Sequence, residues 1–503
     1  MIPLLAQSGC WIFRIFSGID KMIEYTPDRI FTRSKITSIL DSIKGKTFRE
    51  IDSKGLMSKT SDIKKITGIA GDVIEQSVLG CSPDSGQRPD LLVDGILTEL
   101  KTIGIRMKRE NGKMSYEAKE PMTVTAVSIP TITGEVFLDS SLWHKLNHLL
   151  IVFYEYASES TVPASAYADF PILGYCFHEF TEDDREILEH DWTAVRDFIT
   201  ELNGFPTPEN EYGRLSYELR PVLSVLDTSP KYPHPPRFRL KRNFVTSIVQ
   251  QSLSGRKGPP SVSFHELDMA CRSMTKVYGG RTIKDLAMEF GIEGASKSIA
   301  SAIVSRMFEG SPKRISDVEL FKRLSLNVKT VKLSSKGKRT EDMKLFIIDF
   351  GEISMDGIEF EDSEFYEYFS EHQLLCPIFE ESDAEGILED ARFMGFKRLF
   401  FTESFIQNDV RSTWEDIRRI VVNGELRCTA MVDAAGRPRI NGLGEPMMSI
   451  NLPKSRDGAV FVRGGGANSR DRVEIVPGVL ALRQYLWIKG KAIASLLDGL
   501  PFL

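Results

Sequence analysis

Two carboxylates and a lysine within one short stretch of the sequence could perform chemistry together. Asp90 follows a proline, and Glu99 and Lys101 stand on a predicted strand with Leu100 between them. Because successive side chains of a strand point to opposite faces, Glu99 and Lys101 share one face. Carboxylate oxygens are hard ligands that suit Mg²⁺, which polarises a phosphodiester and lowers the pKa of a bound water. The lysine can orient that water, so the pattern is typical of metal-dependent phosphodiester hydrolysis.

A predicted turn at Asp94-Gly95 brings these residues together. Asp-Gly between two apolar runs is a strong signal for a two-residue β-hairpin. When this hairpin closes, Asp90 lies near Glu99 at the edge of a small sheet. Asp94 is the alternative carboxylate ligand. We favour Asp90, because Asp94 is needed in the turn and follows no proline.

Two further charged residues are predicted on helices next to the hairpin. Glu75 belongs to a segment, 62–79, whose apolar residues recur at helical spacing. Lys145 belongs to a short amphipathic helix, 141–148, that precedes the strongly apolar strand 149–154. A surface glutamate and a snorkelling lysine are the ordinary interpretations. Beside the hairpin, Glu75 becomes a third candidate carboxylate and Lys145 a candidate contact to the active centre.

Sequence pattern also predicts the secondary structure of two other regions. Residues 106–119 are basic and polar, which favours a solvated turn that could contact phosphates. Residues 183–188 and 192–202 are predicted to form two separate helices.

The overall composition is that of a globular protein with more than one domain. The chain has 503 residues, of which 42% are hydrophobic and 27% charged, and its net charge is −6. An acidic net charge is compatible with DNA binding, because overall charge says little about one groove. The six cysteines form no C-x-x-C pair, so neither a zinc site nor a disulfide framework is indicated. We expect reduced cysteines and a cytoplasmic protein.

The first residues of the chain are apolar only in patches. Gly9, Arg14 and Gly18 interrupt them, and no basic region precedes them. The segment is therefore a poor signal peptide and too short to span a membrane. We expect residues 1–24 to form an N-terminal tail, with Met22 as an alternative start.

A linker divides the remainder of the chain. Glycine and proline concentrate after residue 254 without apolar periodicity, which is typical of an interdomain segment. We predict a first domain at 25–255, a linker at 256–261 and a second domain at 262–503.

The second half of the sequence repeats the order of elements in the first. Residues 327–333 echo residues 99–105, and Asn327 stands where Glu99 stood. Asp317 and Glu319 fall near the position of Asp90. A neutral amide cannot replace a charged metal ligand without a large loss of affinity, so we expect one catalytic copy and one that has lost the chemistry.

A glycine-rich basic loop lies in the second copy, at 462–472. Its arginines Arg463, Arg470 and Arg472 could grip phosphates, and its glycines let the backbone approach a partner closely. A flexible charged loop is the alternative interpretation.

These motifs, taken in order, resemble a known family. They are Gly71-x-x-x-Glu75 on a helix, Pro89-Asp90, the run from Glu99 to Ile103, and His144-Lys145-Leu146 before an apolar strand. The combination resembles the MutH/Sau3AI family of DNA endonucleases, and the duplicated length resembles the Sau3AI-type layout of that family. The resemblance extends from about residue 25 to the end of the chain.

The resemblance implies both a fold and an activity. The fold would be α/β (α+β) of the PD-(D/E)xK restriction-endonuclease type, duplicated as two MutH-like domains. The activity would be that of a type II restriction endonuclease, the Mg²⁺-dependent hydrolysis of double-stranded DNA at GATC. The second domain would be a non-catalytic DNA-binding copy that promotes dimerisation on DNA or binds a further DNA site.

The resemblance also assigns roles to individual residues. Asp90 and Glu99 would bind the metal with the help of Glu75, Lys101 would serve the attacking water, and Lys145 would lie at the active centre.

This sequence departs from the family pattern in two places. The gap from Asp90 to Glu99 is two residues longer than the family's usual spacing. The base-reading runs also differ, and here they contain Arg220 and Arg239 as candidate DNA contacts. Arg239 could donate two hydrogen bonds to guanine.

Two other functions remain possible from the sequence. One is a MutH-like strand-nicking endonuclease of mismatch repair, against which the second copy argues. The other is a DNA-binding module without catalysis, against which Asp90, Glu99 and Lys101 of the first copy argue.

Overall fold

The protein folds into two compact units, Met1–Phe264 and His265–Leu503. The computed structural model describes residues 13–16, 22–60, 68–84, 86, 88–110, 113–158, 162–228, 235–255, 262–292, 298–309, 320–321, 324, 326–334, 340–381 and 388–503. The predicted linker, 256–261, lies outside the described residues, as do Asp317 and Glu319.

The first unit combines strands and helices in a mixed α/β arrangement. Its strands are β1 Phe13–Phe16, β2 Met22–Tyr25, β3 Ile30–Phe31, β4 Leu91–Val93, β5 Ile96–Glu110, β6 Lys113–Ala118, β7 Met122–Ala126, β8 Leu149–Glu155, β9 Ile172–His178, β10 Leu226–Thr228 and β11 Arg237–Leu240. Its helices are α1 Arg33–Ile43, α2 Phe48–Ile51, α3 Ile69–Asp72, α4 Ile129–Ile132, α5 Ser141–Leu146, α6 Glu182–Leu202, α7 Leu215–Glu218 and α8 Arg242–Ser254, and a π-helix, Val73–Val78, continues α3.

A mixed sheet with the order β3-β4-β5-β8-β9 forms the centre of the first unit, and β6 pairs with β5. Strand β8 is buried from Leu149 to Tyr154, as expected for a central strand covered on both faces. Leu149, Ile151 and Phe153 face one hydrophobic core, whereas Leu150, Val152 and Tyr154 face another. The sheet therefore lies between two apolar layers.

The predicted hairpin at Asp94-Gly95 is confirmed. Strands β4 and β5 pair antiparallel, with Leu91 opposite Thr98 and Val93 opposite Ile96. Asp94 has a φ of 48° and Gly95 a φ of 83°. Positive φ at both central residues is the signature of the tight turn that joins twisted antiparallel strands.

The prediction of a polar turn at 106–119 is wrong. Strand β5 continues to Glu110 and pairs antiparallel with β6 over six residue pairs, from Ile105 opposite Ala118 to Glu110 opposite Lys113. The buried residues Ile105 and Ala118 tie this ribbon to the core. The sequence between Ile105 and Ala118 is rich in basic and polar residues, so it lacks the apolar alternation by which a strand is recognised.

The prediction of two helices at 183–188 and 192–202 is also wrong, because α6 is continuous. The polar residues between the two segments include Asp191, which is fully buried. Its carboxylate accepts hydrogen bonds from the backbone N–H groups of Ser224, Val225 and Leu226 at 2.8–2.9 Å. A charged residue on the buried face is tolerated there because its oxygens are satisfied.

The described parts of the N-terminal segment form an antiparallel pair of strands, β1 and β2. Tyr25, at the end of β2, is buried, and its hydroxyl donates to the carbonyl oxygen of Pro89 at 2.7 Å.

The second unit also combines strands and helices. Its strands are β12 Leu326–Val328, β13 Val331–Leu333, β14 Met343–Ile347, β15 Gln373–Glu380, β16 Arg392–Leu399, β17 Cys428–Ala430, β18 Met448–Ile450, β19 Val460–Gly465, β20 Arg472–Val476 and β21 Val479–Ile488. Its helices are α9 Phe264–Tyr278, α10 Ile283–Glu289, α11 Ile299–Glu309, α12 Phe350–Ser354, α13 Glu364–Glu371, α14 Glu403–Phe405, α15 Arg411–Val422 and α16 Gly490–Asp498, and a π-helix, Ile406–Val410, connects α14 to α15.

The described part of the second unit contains two four-stranded sheets and a small two-stranded one. In the first, β12 and β13 both pair parallel with β15, which pairs antiparallel with β16. In the second, β21 pairs antiparallel with β14, β19 and β20. Across the described part of both units, the helices are too short or too polar to cross a bilayer.

A buried glutamate in α12 makes the stability of the second unit depend on pH. Burial raises the pKa of Glu352 from 4.5 to about 8, although the carboxylate accepts a hydrogen bond from the N–H of Glu364 at 2.9 Å. Because the folded state favours the neutral carboxyl group, protonated Glu352 contributes stability to the folded protein. That contribution is complete below pH 4.5 and is lost as the pH rises through about 8.

Glu352→Gln is therefore expected to raise stability relative to the original protein at alkaline pH, by on the order of 3 kcal/mol, and to change it little near pH 4.5. Thermal or urea unfolding at several pH values measures the difference. Glu359→Gln, at an exposed position, serves as the control and should show no such pH dependence. An equal response of both variants would contradict the role of burial.

Candidate active site

Glu99 lies at the centre of the candidate site, on β5, with only 1% of its surface exposed. The ammonium groups of Lys101 and Lys145 both contact its Oε1, at 2.8 and 3.1 Å. Its other oxygen, Oε2, is buried and has no hydrogen-bond partner in the described part of the protein. A buried carboxylate oxygen without a partner is costly, so this atom is suited to a cation that is not a side chain.

The electrostatics of Glu99 follow from the same contacts. Burial raises the pKa of its carboxyl group, and the positive charges of Lys101 and Lys145 oppose that rise. Asp90, whose carboxylate accepts a hydrogen bond from the N–H of Leu100, the residue after Glu99, adds to the rise through like-charge repulsion. A divalent cation between the two carboxylates would remove that repulsion.

Asp90 lies just before β4, next to the strand that carries Glu99. Its Oδ2 accepts a hydrogen bond from the N–H of Leu100 at 2.9 Å. Asp94, the alternative ligand, is engaged elsewhere, because its Oδ2 accepts from the N–H of Arg33 at 3.2 Å while its backbone forms the turn. The geometry therefore favours Asp90 over Asp94.

Lys145 reaches Glu99 through the helix that precedes β8. The hydroxyl of Ser140 caps α5 by accepting from the N–H of Trp143 at 3.1 Å. Strands β5 and β8 then pair in parallel with Glu99 opposite Leu149. This register sets the last turn of α5 beside Glu99, so the two residues meet although 46 positions separate them.

Glu75 is engaged in an ion pair with an arginine. It lies on the π-helix, and its Oε1 accepts from Arg29 at 2.6 Å. Burial raises the pKa of Glu75, and Arg29 acts in the opposite direction. The structure thus brings together Asp90, Glu99, Lys101 and Lys145, while the fifth predicted residue, Glu75, is bound to arginine.

Sequence reasoning missed Arg29, which connects several parts of the site. Its side chain is 2% exposed and donates to Glu75, to the carbonyl oxygen of Asp90 at 2.9 Å and to that of Ser82 at 2.5 Å. These partners are 46 to 61 positions away, so no local pattern reveals them. The only signal was an arginine directly before the short apolar strand β3.

In the described part of the chain, no three His, Cys, Asp or Glu side chains are already close enough together to form a complete metal cage. Two carboxylates, one with an unpartnered buried oxygen, form a partial set of hard donors. This donor set fits Mg²⁺, which keeps several waters and binds through one or two carboxylates.

Comparisons with known proteins agree with the sequence motifs. The family model described as DNA mismatch repair enzyme MutH matches residues 79–191, a segment that contains Asp90, Glu99, Lys101 and Lys145. The DNA mismatch repair protein MutH of Yersinia enterocolitica is 30% identical over 185 residues, which are 36% of this chain and 72% of that protein. The chain belongs to the MutH/Sau3AI family.

A second relative in the MutH/Sau3AI family is similar over more of the chain. The type II restriction enzyme Sau3AI of Staphylococcus aureus is 27% identical over 380 residues, which are 70% of this chain and 74% of that protein. The predicted family relationship is confirmed. Together with the mixed α/β arrangement, it implies a PD-(D/E)xK-like nuclease fold.

The five arginines predicted to contact DNA lie in different environments. Arg220 is buried after α7, and Arg239 on β11 forms an ion pair with Asp227. In the second unit, Arg463 pairs with Asp342 at 2.8 Å.

The other two arginines of the loop 462–472 also have partners. Arg470 pairs with Glu445 at 2.8 Å and is largely exposed. Arg472 donates to the carbonyl oxygen of Ser469 at 3.1 Å. DNA would have to compete with these partners, and Arg470 is the most accessible of the three in the loop.

Proposed function

We propose that this protein is a type II restriction endonuclease that hydrolyses phosphodiester bonds of double-stranded DNA with Mg²⁺ as cofactor. The observation that carries the proposal is the buried carboxylate of Glu99. Two lysines hold one of its oxygens, and the other oxygen has no partner in the described part of the protein. The carboxylate of Asp90 accepts a hydrogen bond from the N–H of Leu100, the residue after Glu99. A structural ion pair needs only one lysine and no second carboxylate.

Asp90 and Glu99 would hold the metal, with Glu75 as an additional carboxylate. When bound, Mg²⁺ supplies a Lewis acid and a water of lowered pKa. Lys145 is nearly buried and keeps the carboxylate of Glu99 oriented. Lys101 is 20% exposed, so its ammonium can donate to an attacking water or to a phosphate oxygen.

We also propose that the two units arose by duplication. Asn327 on β12 lies opposite Leu374 of the parallel strand β15, as Glu99 lies opposite Leu149. The strands β8 and β15 each follow a short helix capped by a serine, Ser140 and Ser363 respectively.

The ends of the two units correspond in the same way. Met122 of β7 lies opposite Leu240, and Met343 of β14 lies opposite Ile488. A final helix begins directly after a lysine at the N-cap, Lys241 before α8 and Lys489 before α16. Because Asn327 replaces the central carboxylate, we propose that the second unit binds DNA without cutting it.

Restriction is favoured over strand nicking by the share of the chain that each relative matches. Similarity to the type II restriction enzyme covers 70% of the chain, whereas similarity to the mismatch repair protein covers 36%. GATC is the expected recognition site. One catalytic centre per chain means that two chains, or two successive events, would cut both strands. We propose a cytoplasmic location, which the free thiols of the described cysteines suit.

Digestion of plasmid DNA by the purified protein in Mg²⁺ tests the proposal. Discrete bands are expected, and sequencing of their ends should reveal GATC. Methylated and unmethylated plasmids in parallel digests determine whether modification protects the site. Lys101→Ala should abolish the bands while leaving the melting temperature nearly unchanged. Equal digestion by the original protein and this variant would exclude the assigned centre.

Nicked circles without linear product, stimulated by a MutL-type partner, would favour the mismatch repair function. Tight DNA binding without cleavage in any divalent metal would favour a binding module.

A further inference from the structure

The second unit contains a counterpart of the catalytic contacts in which the charges differ. Asn327 donates through Nδ2 to the hydroxyl of Tyr368 at 3.3 Å. Tyr368 lies on α13, the helix before β15, just as Lys145 lies on α5 before β8. An amide and a phenol thus stand where the first unit has the ion pair between Glu99 and Lys145.

Lys329 occupies the position that Lys101 has in the first unit. Lys101 lies two residues after Glu99, and Lys329 lies two residues after Asn327. Each Nζ contacts a backbone carbonyl of a later strand, β7 in the first unit and β14 in the second. For Lys101 this is the oxygen of Val124 at 3.5 Å, and for Lys329 it is that of Lys344 at 3.2 Å.

The difference lies in the counter-charge. Lys101 forms an ion pair with Glu99, whereas the described part of the second unit shows no carboxylate in contact with Lys329. Burial lowers the pKa of Lys329, and the ammonium of Lys344 lowers it further. Asp342, which lies just before β14, is already engaged by Arg463 and by the N–H of Gly490. The side chains around Lys329 therefore carry positive charge that no acid of the described residues balances.

We propose that Lys329, Asn327 and Tyr368 form a binding site for a phosphate group of the DNA backbone. The inference rests on the proposed function of the second unit. An ammonium, an amide N–H and a phenolic O–H are all donors, as a phosphate oxygen requires. The exposed Lys344 adds a second positive charge near Lys329. A carboxylate at position 327 would repel the phosphate. The amide of Asn327, which we expected only to abolish metal binding, therefore also permits phosphate binding.

Chemical acetylation of the full chain without divalent metal tests the site directly, because it leaves DNA uncut. Lys329 is expected to react in the free protein and to be protected by duplex DNA, as mass spectrometry of its peptide would show. The exposed Lys284 on α10 is the reference and should stay reactive. Protection by inorganic phosphate alone at similar concentration would instead assign a free-phosphate site and overturn the DNA assignment, and lack of protection by DNA would overturn the site itself.

Substitution provides a second test that does not depend on labelling. Lys329→Ala should weaken metal-free DNA binding about tenfold and reduce the slope of log K against log salt by about 1. Asn327→Glu keeps the lysine but supplies a carboxylate, as Glu99 does for Lys101, and should have a similar effect. Lys284→Ala removes the same charge from an exposed helix and should do neither. Equal losses for Lys329→Ala and Lys284→Ala would overturn the proposal.

Cleavage assays on the same preparations distinguish failure of the phosphate site from failure of the proposed endonuclease function. Mg²⁺-dependent cleavage together with an unprotected Lys329 would remove only this site. Absence of both cleavage and binding in the original protein would remove the proposed function.

Discussion

Glu99→Gln is expected to reduce Mg²⁺-dependent cleavage of duplex DNA by about a thousandfold or more, because loss of a metal ligand costs several kcal/mol of transition-state stabilisation. The amide has nearly the same shape, so packing around this 1%-exposed side chain is preserved. Single-turnover cleavage of a labelled duplex measures the loss.

The same substitution is expected to tighten DNA binding when no divalent metal is present. Without the carboxylate, Lys101 and Lys145 keep their charges but lose the anion that they now contact at 2.8 and 3.1 Å. Their attraction for phosphate then increases. Fluorescence anisotropy in a metal chelator measures the change.

Glu179→Gln is the matched control for both measurements. Glu179 is largely exposed and contacts His148 at 3.3 Å, so the same chemical change there should leave cleavage and binding unaltered. If Glu99→Gln cut DNA at the original rate, Glu99 could not be a metal ligand.

Arg29→Met is expected to destabilise the first unit by about 3 kcal/mol, because it leaves the half-buried carboxylate of Glu75 without its partner. Cleavage should also fall, since Arg29 holds the carbonyl of Asp90 at 2.9 Å. Arg29 is thus a positioning residue for two of the carboxylates. Thermal unfolding and the Mg²⁺ concentration needed for half-maximal cleavage measure the two effects.

A double-mutant cycle separates stability from positioning. Glu75→Gln in the Arg29→Met background removes the unpaired charge and should restore most of the stability, while the Mg²⁺ requirement stays raised. Arg49→Met is the control, because the pair of Arg49 with Asp169 is about two-thirds exposed and such pairs contribute little. If Arg29→Met altered stability alone, Arg29 would have no role in metal binding.

The sequence predicted the parts of the site that depend on local pattern. The Asp94-Gly95 turn specified the hairpin, and alternation along β5 put Glu99 and Lys101 on one face. The helix that carries Lys145 was recognisable from its amphipathic pattern and from the apolar strand after it.

Other features were inaccessible because they depend on tertiary contacts. Arg29 meets Glu75 and Asp90 only after β3 pairs with β4. The burial of Asp191 could not be predicted because its three backbone donors lie more than thirty positions later in the chain. The ribbon of β5 and β6 looked like a turn because its sequence is rich in basic and polar residues.

The register of the hairpin restricts how the distance between the two catalytic carboxylates can change in evolution. With Leu91 opposite Thr98, the next position outward sets Asp90 opposite Glu99. A two-residue turn preserves such a pair only when residues are gained or lost equally on both strands, that is, in even numbers. The eight residues between Asp90 and Glu99 meet this condition, whereas a single insertion would separate the carboxylates. Length variants should therefore retain activity when an even number of residues separates the two carboxylates and lose it when the number is odd.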